Sequence, residues 1–381
     1  MKIAIIGGGA SGVVCALRIK KINPNIDVTI FEATDTLLKK VSISGSGKCN
    51  ISNINIKPEC YKNPDLISEM LQNNANSSLL FLKELGLFTT EDDMGRVYPY
   101  NKDAKTVVRL LINKLYFNHV EVKLNTYVDK IKAYDDRVLV NNLIFDRVVI
   151  AIGSNAFLSN SLDHYRLVKN FKLKDLHPGL VGFKTTKPNP KLNGIRCMVK
   201  AKYLEHESSG EMLFKADGVS GICLMDLSLY YDKQKANFLL LDFLANRSIS
   251  ELISYAKWRL NFDKNLHLYN LLQTALPEAL LNEINKSFQN ETLNTIDDST
   301  LYKYFMACKE YKLFIEDTYD FKAAQITVGG VCLDEIDHFK AKKVPNTYLI
   351  GEVLDEAGIC GGYNLWFAMT SAIMVGDALC K

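Results

Sequence analysis

The chain has 381 residues, a length that predicts two or three domains rather than one core. Hydrophobic residues make up 48% and charged residues 23%, as in a soluble globular protein, and the formal net charge is only +3 with no long Lys/Arg run, which speaks against a dedicated nucleic-acid binder. The cysteines number nine, an odd count with no CxxC pair, which argues against a disulfide framework or a zinc ribbon and for reduced thiols with no metal site.

In chain order, the first apolar run, Ile3 to Ile6, is too short for a signal peptide or a membrane span. The longest later one, Leu365 to Leu379, is interrupted by Thr370, Ser371, Gly376 and Asp377. The expectation is a cytoplasmic protein without a membrane partner. A strand over 2–6, a helix over 10–22 and a strand over 28–32 make a βαβ unit. Its first turn reads Gly7-Gly8-Gly9-Ala10-Ser11-Gly12, a GxGxxG. Gly7 permits the tight turn, Gly9 lets the backbone approach a pyrophosphate, and Gly12 packs helix against sheet, while the N–H groups from Ala10 and Ser11 onward face an anion. Glu32 follows Gly12 by 20 residues, where a carboxylate accepts from ribose hydroxyls. These features predict a bound dinucleotide.

Residues Ser44-Gly45-Ser46-Gly47-Lys48-Cys49-Asn50 form a short polar loop that can aim backbone N–H groups at an anion or at the pyrimidine edge of a flavin. LIFDRVVIAI over 143–152 reads as one buried strand ending at Gly153. Short strand-like pieces over 180–185, 197–204 and 211–214 are separated by turn signals at Pro188-Asn189-Pro190, Asn193-Gly194 and Ser208-Ser209-Gly210. They predict a β-rich, barrel-like insert over 161–246, with part of 317–325. Between Gly221 and Gly329 there is no glycine, and helical runs are expected over 249–260, 265–288 and 299–316, with Ser248 or Ser250 as N-cap; the helical module is assigned to 247–316. Thr327-Val328-Gly329-Gly330-Val331 reads either as a hairpin or as a close approach to a ring. A strand over 347–352 ends in Gly351-Glu352, followed by Gly358-Ile359-Cys360-Gly361-Gly362-Tyr363-Asn364 and a helix over 365–379. That segment can bring backbone and a helix N-terminus against a flavin ring, which distinguishes FAD from NAD as the tightly held dinucleotide. The fold expected is α/β: a discontinuous Rossmann-like FAD-binding domain over 1–160 and 322–381, interrupted by the barrel-like domain and the helical module.

In this order the motifs resemble the bacterial BaiN/YhiN-type family of NAD(P)/FAD-dependent oxidoreductases, the aminoacetone-oxidase-like flavoproteins. The resemblance spans essentially the whole chain and is most specific at ISGSGKCNISN over 43–53 and GEVLDEAGICGGYN over 351–364. It implies FAD contacts at Gly9, Ser11, Gly12, Glu32, Ala33, Lys40, residues 44–50, Val128, Ala151, Gly153, Gly351, Glu352 and residues 362–365, hence also Leu365. Two departures stand out. Gly45-Ser46-Gly47-Lys48 replaces the usual Gly-Gly-Gly-Arg, keeping the charge but not the planar fork, and Ala151-Ile152-Gly153-Ser154 replaces Ala-Thr-Gly-Gly.

The function expected is an FAD-dependent oxidoreductase, NAD(P)H-linked, passing hydride through flavin N5 to or from a small organic substrate. The family resemblance suggests a carbonyl-conjugated alkene. An amine oxidase using O₂ is the close alternative and an RNA-modifying flavoprotein a more distant one. A second GxGxxG is lacking, so NADH or NADPH is expected to dock transiently. Tyr363, Asn364, Cys49 and Tyr98 are the candidate proton-handling residues.

Overall fold

A computed structural model describes residues 1–74, 77–156, 164–288 and 291–381. The chain divides into two units, residues 1–177 with 326–381, and residues 178–325. The expected domain boundary at 160 lies outside the described residues.

The first unit opens with β1 (Lys2–Ile6), α1 (Ala10–Ile22) and β2 (Asp27–Phe31), with β1 and β2 paired in parallel from Lys2↔Asp27 to Ile6↔Phe31. After β1's first residue the strand is buried without alternation, because a parallel sheet is covered on both faces. Helix α2 (Ala104–Phe117) is capped by Asp103, whose carboxylate accepts the Lys105 N–H at 2.9 Å, and it buries Val107, Leu111 and Leu115 on one face. It leads to β3 (Glu121–Lys123) on the far side of β2. The run over 143–152 is two strands rather than one. Leu143–Phe145 belongs to a three-stranded antiparallel sheet with 131–134 and 137–140, and β4 (Arg147–Ile150) pairs with β1. Asp146 makes the break: its carboxylate accepts the Lys2 N–H at 2.6 Å and its own N–H donates to the Lys2 carbonyl.

The second unit is a closed six-stranded antiparallel barrel with helices. Its strands are β5 (Phe183–Thr185), β6 (Arg196–Tyr203), β7 (His206–Phe214), β8 (Gly218–Ser220), β9 (Phe238–Asp242) and, after α3 (Ile249–Arg259) and α4 (Asp298–Lys309), β10 (Tyr311–Thr318). The order is β5-β8-β7-β6-β9-β10, closed by β10 on β5. Alternation along β6 sends Val199, Ala201 and Tyr203 inward, and the same core takes Leu252 and Ala256 of α3 and Leu301, Tyr304 and Phe305 of α4. Ser248 caps α3 in a reciprocal capping box with Glu251.

Three expectations here are corrected. Ser208-Ser209-Gly210 is not a turn but the middle of β7, paired to Ala201, Lys200 and Val199; the reversal lies at Leu204, whose φ is +53°. The helical run over 265–288 is interrupted: it yields helices only at Leu268–Leu271 and Glu278–Ile284, because Pro277 lacks the N–H an uninterrupted helix needs and instead caps the second. The run over 299–316 stops at Lys309, and from Tyr311 the exposure pattern has the period of a strand.

The chain then returns to the first unit. Ile326–Val331 is a wholly buried strand, so Gly329-Gly330 forms no hairpin. A small hairpin over 336–341 and β11 (Thr347–Leu349) complete the sheet; β11 is shorter than the predicted strand because a turn of 3-10 helix begins at Gly351. The seven-stranded order is 336–337, 340–341, β11, β4, β1, β2, β3. The chain leaves β1 to opposite sides for β2 and β4, the switch point at which doubly wound sheets bind ligands. Helix α5 (Tyr363–Leu379) starts two residues earlier than predicted and lies against α1, joined by Arg18 Nε to Asp377 Oδ1 at 2.5 Å. Among the described residues no helix is long and apolar enough to cross a membrane.

Candidate functional site

The site is built at the carboxyl end of β1. Two glycines of the first loop are dictated by the chain itself. Gly7 has φ +110°, and a Cβ there would lie 2.2 Å from the Ala151 carbonyl oxygen; one on Gly12 would lie 2.0 Å from the Gly7 carbonyl oxygen. Gly9 differs. Its φ of −78° is open to any residue, and a Cβ on it would meet nothing within 4 Å. Whatever requires glycine at 9 therefore comes from outside the chain. Gly9 is the N-cap of α1, which has no side-chain cap and no acid in its first turn, so the N–H groups there present positive potential to an anion.

Glu32, just past β2, accepts the Gly8 N–H at Oε2 (2.8 Å) and the Thr34 N–H and hydroxyl at Oε1 (2.8 Å each). A carboxylate has about four acceptor positions, so one remains for a hydroxyl. Backbone bonds from Asn125 to Thr34 and from Thr126 to Glu32 bring the segment ending at buried Val128 beside half-buried Ala33. On the other side of β1, Ala151 donates to the Ile6 carbonyl, and Gly153 has φ +69° with open space where a Cβ would be.

Four residues of the 44–50 loop have left-handed backbone. Gly45 and Ser46 both have φ +56°, Gly47 +82° and Cys49 +58°. For Ser46 and Cys49 this is a strained conformation, held by the Lys48 N–H to Gly45 and Cys49 N–H to Ser44 bonds. Lys48 is exposed, whereas Asn50 Oδ1 is buried and accepts no bond from the chain. That oxygen lies 2.8 Å from where a Cβ on Gly362 would be, which places the loop beside the C-terminal segment.

That segment is tightly tied. Gly351 (φ +71°) lies so near α1 that a Cβ would be 2.8 Å from Ser11 Oγ. Glu352 accepts from Lys40 Nζ (2.7 Å), Ser154 Oγ (2.7 Å) and the Thr327 N–H (3.0 Å), so the acid expected to meet the cofactor is already largely engaged by the chain. The Asn364 amide clasps Gly358, accepting its N–H at 2.9 Å and donating to its carbonyl at 2.8 Å. Gly361 and Gly362 have φ +125° and +99°, and Gly362 is the N-cap of α5, again without a side-chain cap or an acid in the first turn. Tyr363 is buried, its ring edge-on to Tyr61, and its carbonyl accepts the Tyr61 hydroxyl at 2.8 Å; Leu365 is half-buried one turn in.

Among the candidate proton-handling residues, burial pushes the Cys49 thiol up to about 11, so it is no thiolate near neutrality. Burial also raises the Tyr98 phenol, which sits under Lys102. Residues to which the sequence assigned no role complete the site: Ser154 on Glu352, Asn53 donating to the Gly361 carbonyl at 3.1 Å, and Glu356. Glu356 is 3% exposed; burial raises its carboxyl to about 7, although Oε1 accepts the Ala357 and Asn63 N–H groups, and Oε2 has no partner. The adjacent acids Asp355-Glu356 inside an otherwise apolar loop were the available signal.

Residues 1–378 match the family described as HI0933-like protein Rossmann domain. The chain belongs to this family. A 3-dehydro-bile acid delta(4,6)-reductase of Clostridium scindens is 30% identical across 99% of this chain and 98% of its own length. Ribosomal RNA dihydrouridine synthases of Haemophilus influenzae and Escherichia coli are 26% and 25% identical, each across 97% of this chain. By class the chain is an FAD-dependent oxidoreductase. The residues present fit that cofactor: an uncapped helix start with an unexplained open glycine, a carboxylate with one acceptor position left, and a buried amide oxygen without a partner.

Proposed function

We propose that the chain reduces a carbon–carbon double bond conjugated to a carbonyl in a small organic substrate, with NADH or NADPH as electron donor. The observation that carries the reading is the open approach at Gly9 on the uncapped start of α1, two residues from Ser11, which lies against the Gly351 end of the α5 segment. One relative is named for reducing bile-acid double bonds and two for making dihydrouridine, and both names describe saturation of a carbon–carbon bond. When bound, FAD supplies the two-electron chemistry between nicotinamide and substrate carbon.

The chain's own part is binding and electrostatics. The first turn of α1 (Ala10, Ser11, Gly12) holds the pyrophosphate with its N–H groups, and Glu32, with Ala33 and Val128 beside it, takes a ribose hydroxyl. The 44–50 loop and the start of α5 (Gly361 to Leu365) orient the flavin, with the helix N-terminus favouring the charge gained on reduction. Lys40, Glu352, Ala151, Gly153 and Gly351 line the stretch between. Asn364 spends its amide on Gly358, which leaves Tyr363, Tyr98 and the protonated Cys49 thiol as candidates to deliver the proton that accompanies hydride.

The test is anaerobic mixing of the purified holoprotein with NADH or NADPH, followed at the flavin band near about 450 nm. Bleaching by a nicotinamide, then recovery on adding a steroid or small cyclic enone, is the expected result. Bleaching only by an amine, with O₂ restoring the colour, overturns the reading in favour of an oxidase.

A further inference from the structure

Residues 60–63 run antiparallel to the C-terminal loop. Tyr61 bridges to Gly358, the Ile359 N–H donates to the Cys60 carbonyl at 3.0 Å, and the Lys62 N–H donates to the Ala357 carbonyl at 3.0 Å. Both segments reach the start of α5, because the Tyr61 hydroxyl donates to the Tyr363 carbonyl at 2.8 Å and the Asn364 amide clasps Gly358. Glu356 is held between the two. It is 3% exposed, and its Oε1 accepts the Ala357 N–H at 2.8 Å and the Asn63 N–H at 3.3 Å. Asn63 is fixed in turn, its side-chain amide donating to the Asp355 carbonyl at 2.6 Å. Glu356 Oε2 is buried and has no partner among the described residues. A carboxyl so placed lacks a bond that a buried charge needs, and keeps an oxygen on which a proton can sit.

The ionisable groups on the elements packed here are Asp355 on the loop itself, Cys60, Tyr61 and Lys62 opposite, and Tyr363 on α5. Lys62, the cation among them, pairs with Asp355 at 3.5 Å, and burial keeps the proton on the Tyr61 phenol. Among the described residues Glu356 makes no ion pair, so once ionised it adds an uncompensated negative charge to the loop that leads into α5. The uncapped start of α5 acts the other way, its N–H groups favouring the charge that a flavin gains on reduction. A proton on Glu356 and electrons on the flavin therefore favour each other, and the coupling is reciprocal. At an effective dielectric of about 20, two unit charges about 10 Å apart change an equilibrium by roughly tenfold.

We propose that Glu356 takes up a proton when the bound FAD is reduced, and so sets how readily the site accepts electrons as pH changes. Two electrons and one proton enter the cofactor, a second proton from solvent binds Glu356 Oε2, and the net charge of the site is unchanged. Glu356 acts through the field of the loop, as a positioning residue. The proposal rests on the reading above that the start of α5 orients the flavin, and not on the choice of electron donor or substrate. The test is an electrochemical titration, with mediator dyes, of the FAD-loaded full chain and of Glu356→Gln, which keeps an acceptor for both N–H groups. Burial raises the carboxyl to about 7, and a tenfold coupling raises it by about one unit more on reduction. Below about pH 6 it is protonated in both redox states, so parent and variant reduce at the same potential. Above about pH 8.5 it is ionised in both, and the variant favours the reduced flavin by roughly tenfold over the parent, about 30 mV for a two-electron couple. Infrared difference spectra of the parent at about pH 7.5 gain the carbonyl stretch of a protonated carboxyl on reduction, shifted in D₂O and absent from Glu356→Gln. A gap that is the same at every pH, or no gap at all, overturns the proposal. So does a parent spectrum without that band, a measurement that needs no variant to fold. Reduction at an electrode requires no nicotinamide. A pH-dependent gap without bleaching by NADH or NADPH thus upholds this proposal and counts against the reductase reading, and bleaching with parallel titrations does the reverse.

Discussion

The two glycine-rich loops of the first unit look alike in sequence and differ in physics. At the N-terminal loop the chain accounts for Gly7 and Gly12 but not for Gly9, whose missing side chain leaves open space. At the C-terminal loop Gly351, Gly361 and Gly362 all sit at positive φ, and Gly362 has no room: a Cβ there would lie 2.3 Å from the Ser52 carbonyl oxygen. One glycine is kept open for something outside the chain, and the others are required by the chain's own folding. The first kind marks a ligand, while the second marks a rigid wall.

The most severe test of this contrast is Gly362→Val. It forces a β-branched residue to φ +99° against backbone that cannot swing away, a cost of about 4 kcal/mol or more. The apoprotein is expected to lose its cooperative melting transition or to have it lowered by well over about 5 °C, seen by circular dichroism. Gly9→Val is the opposite case. The backbone conformation suits valine and nothing in the chain is struck, so the apoprotein melts within about 1 kcal/mol of the parent, mostly the cost of a poor N-cap. The variant should nonetheless purify nearly colourless. A folded, fully yellow Gly9→Val protein would remove the pyrophosphate from this loop.

Much of this was legible in the sequence. The GxGxxG, Glu32 and the 351–364 segment declare themselves because glycine spacing and a strand-end carboxylate are local signals. The left-handed 44–50 loop could be placed but not its strain, since Ser46 and Cys49 are not residues that announce positive φ. Other features depend on what the fold brings from afar. Ser154 and Thr327 converge on Glu352 across 198 and 25 residues of sequence. Barrel strand β10 was hidden because the helical run of α4 was carried on through Lys309 to 316, although Tyr311, Leu313 and Ile315 alternate with the period of a strand, and the register with β9 and β5 shows it.

Glu356 sharpens the picture of the C-terminal loop as a wall that tolerates strain. Its carboxyl is raised from 4.5 to about 7, chiefly by burial. Folding therefore favours the protonated form. Its contribution to stability is complete below about pH 4.5 and is lost as pH rises through about 7, by up to about 3 kcal/mol. Glu356→Gln keeps an oxygen for the Ala357 and Asn63 N–H groups and carries no charge. The difference in stability between variant and parent should widen in the variant's favour from pH 5 to 7.5, measured by denaturant unfolding of the apoproteins. A constant difference across that range would mean the carboxyl titrates normally.

The smallest effect expected is at the Lys40–Glu352 pair, which ties the C-terminal loop to the helix over 39–43. Both residues are partly exposed, with side-chain accessibilities of 34% and 18%, so solvent screens part of their attraction. Lys40→Met leaves Glu352 with the Ser154 hydroxyl and the Thr327 N–H, which still hold it in place. A double-mutant cycle with Glu352→Gln in the apoprotein should give a coupling of only about 1 kcal/mol. If the pair instead serves to hold Glu352 ready for the cofactor, Lys40→Met will weaken FAD binding by more than it weakens the fold, and the dissociation constant measured by flavin fluorescence will rise while the melting temperature scarcely moves. Equal losses in both would make the pair part of the wall alone, on the same footing as Gly362.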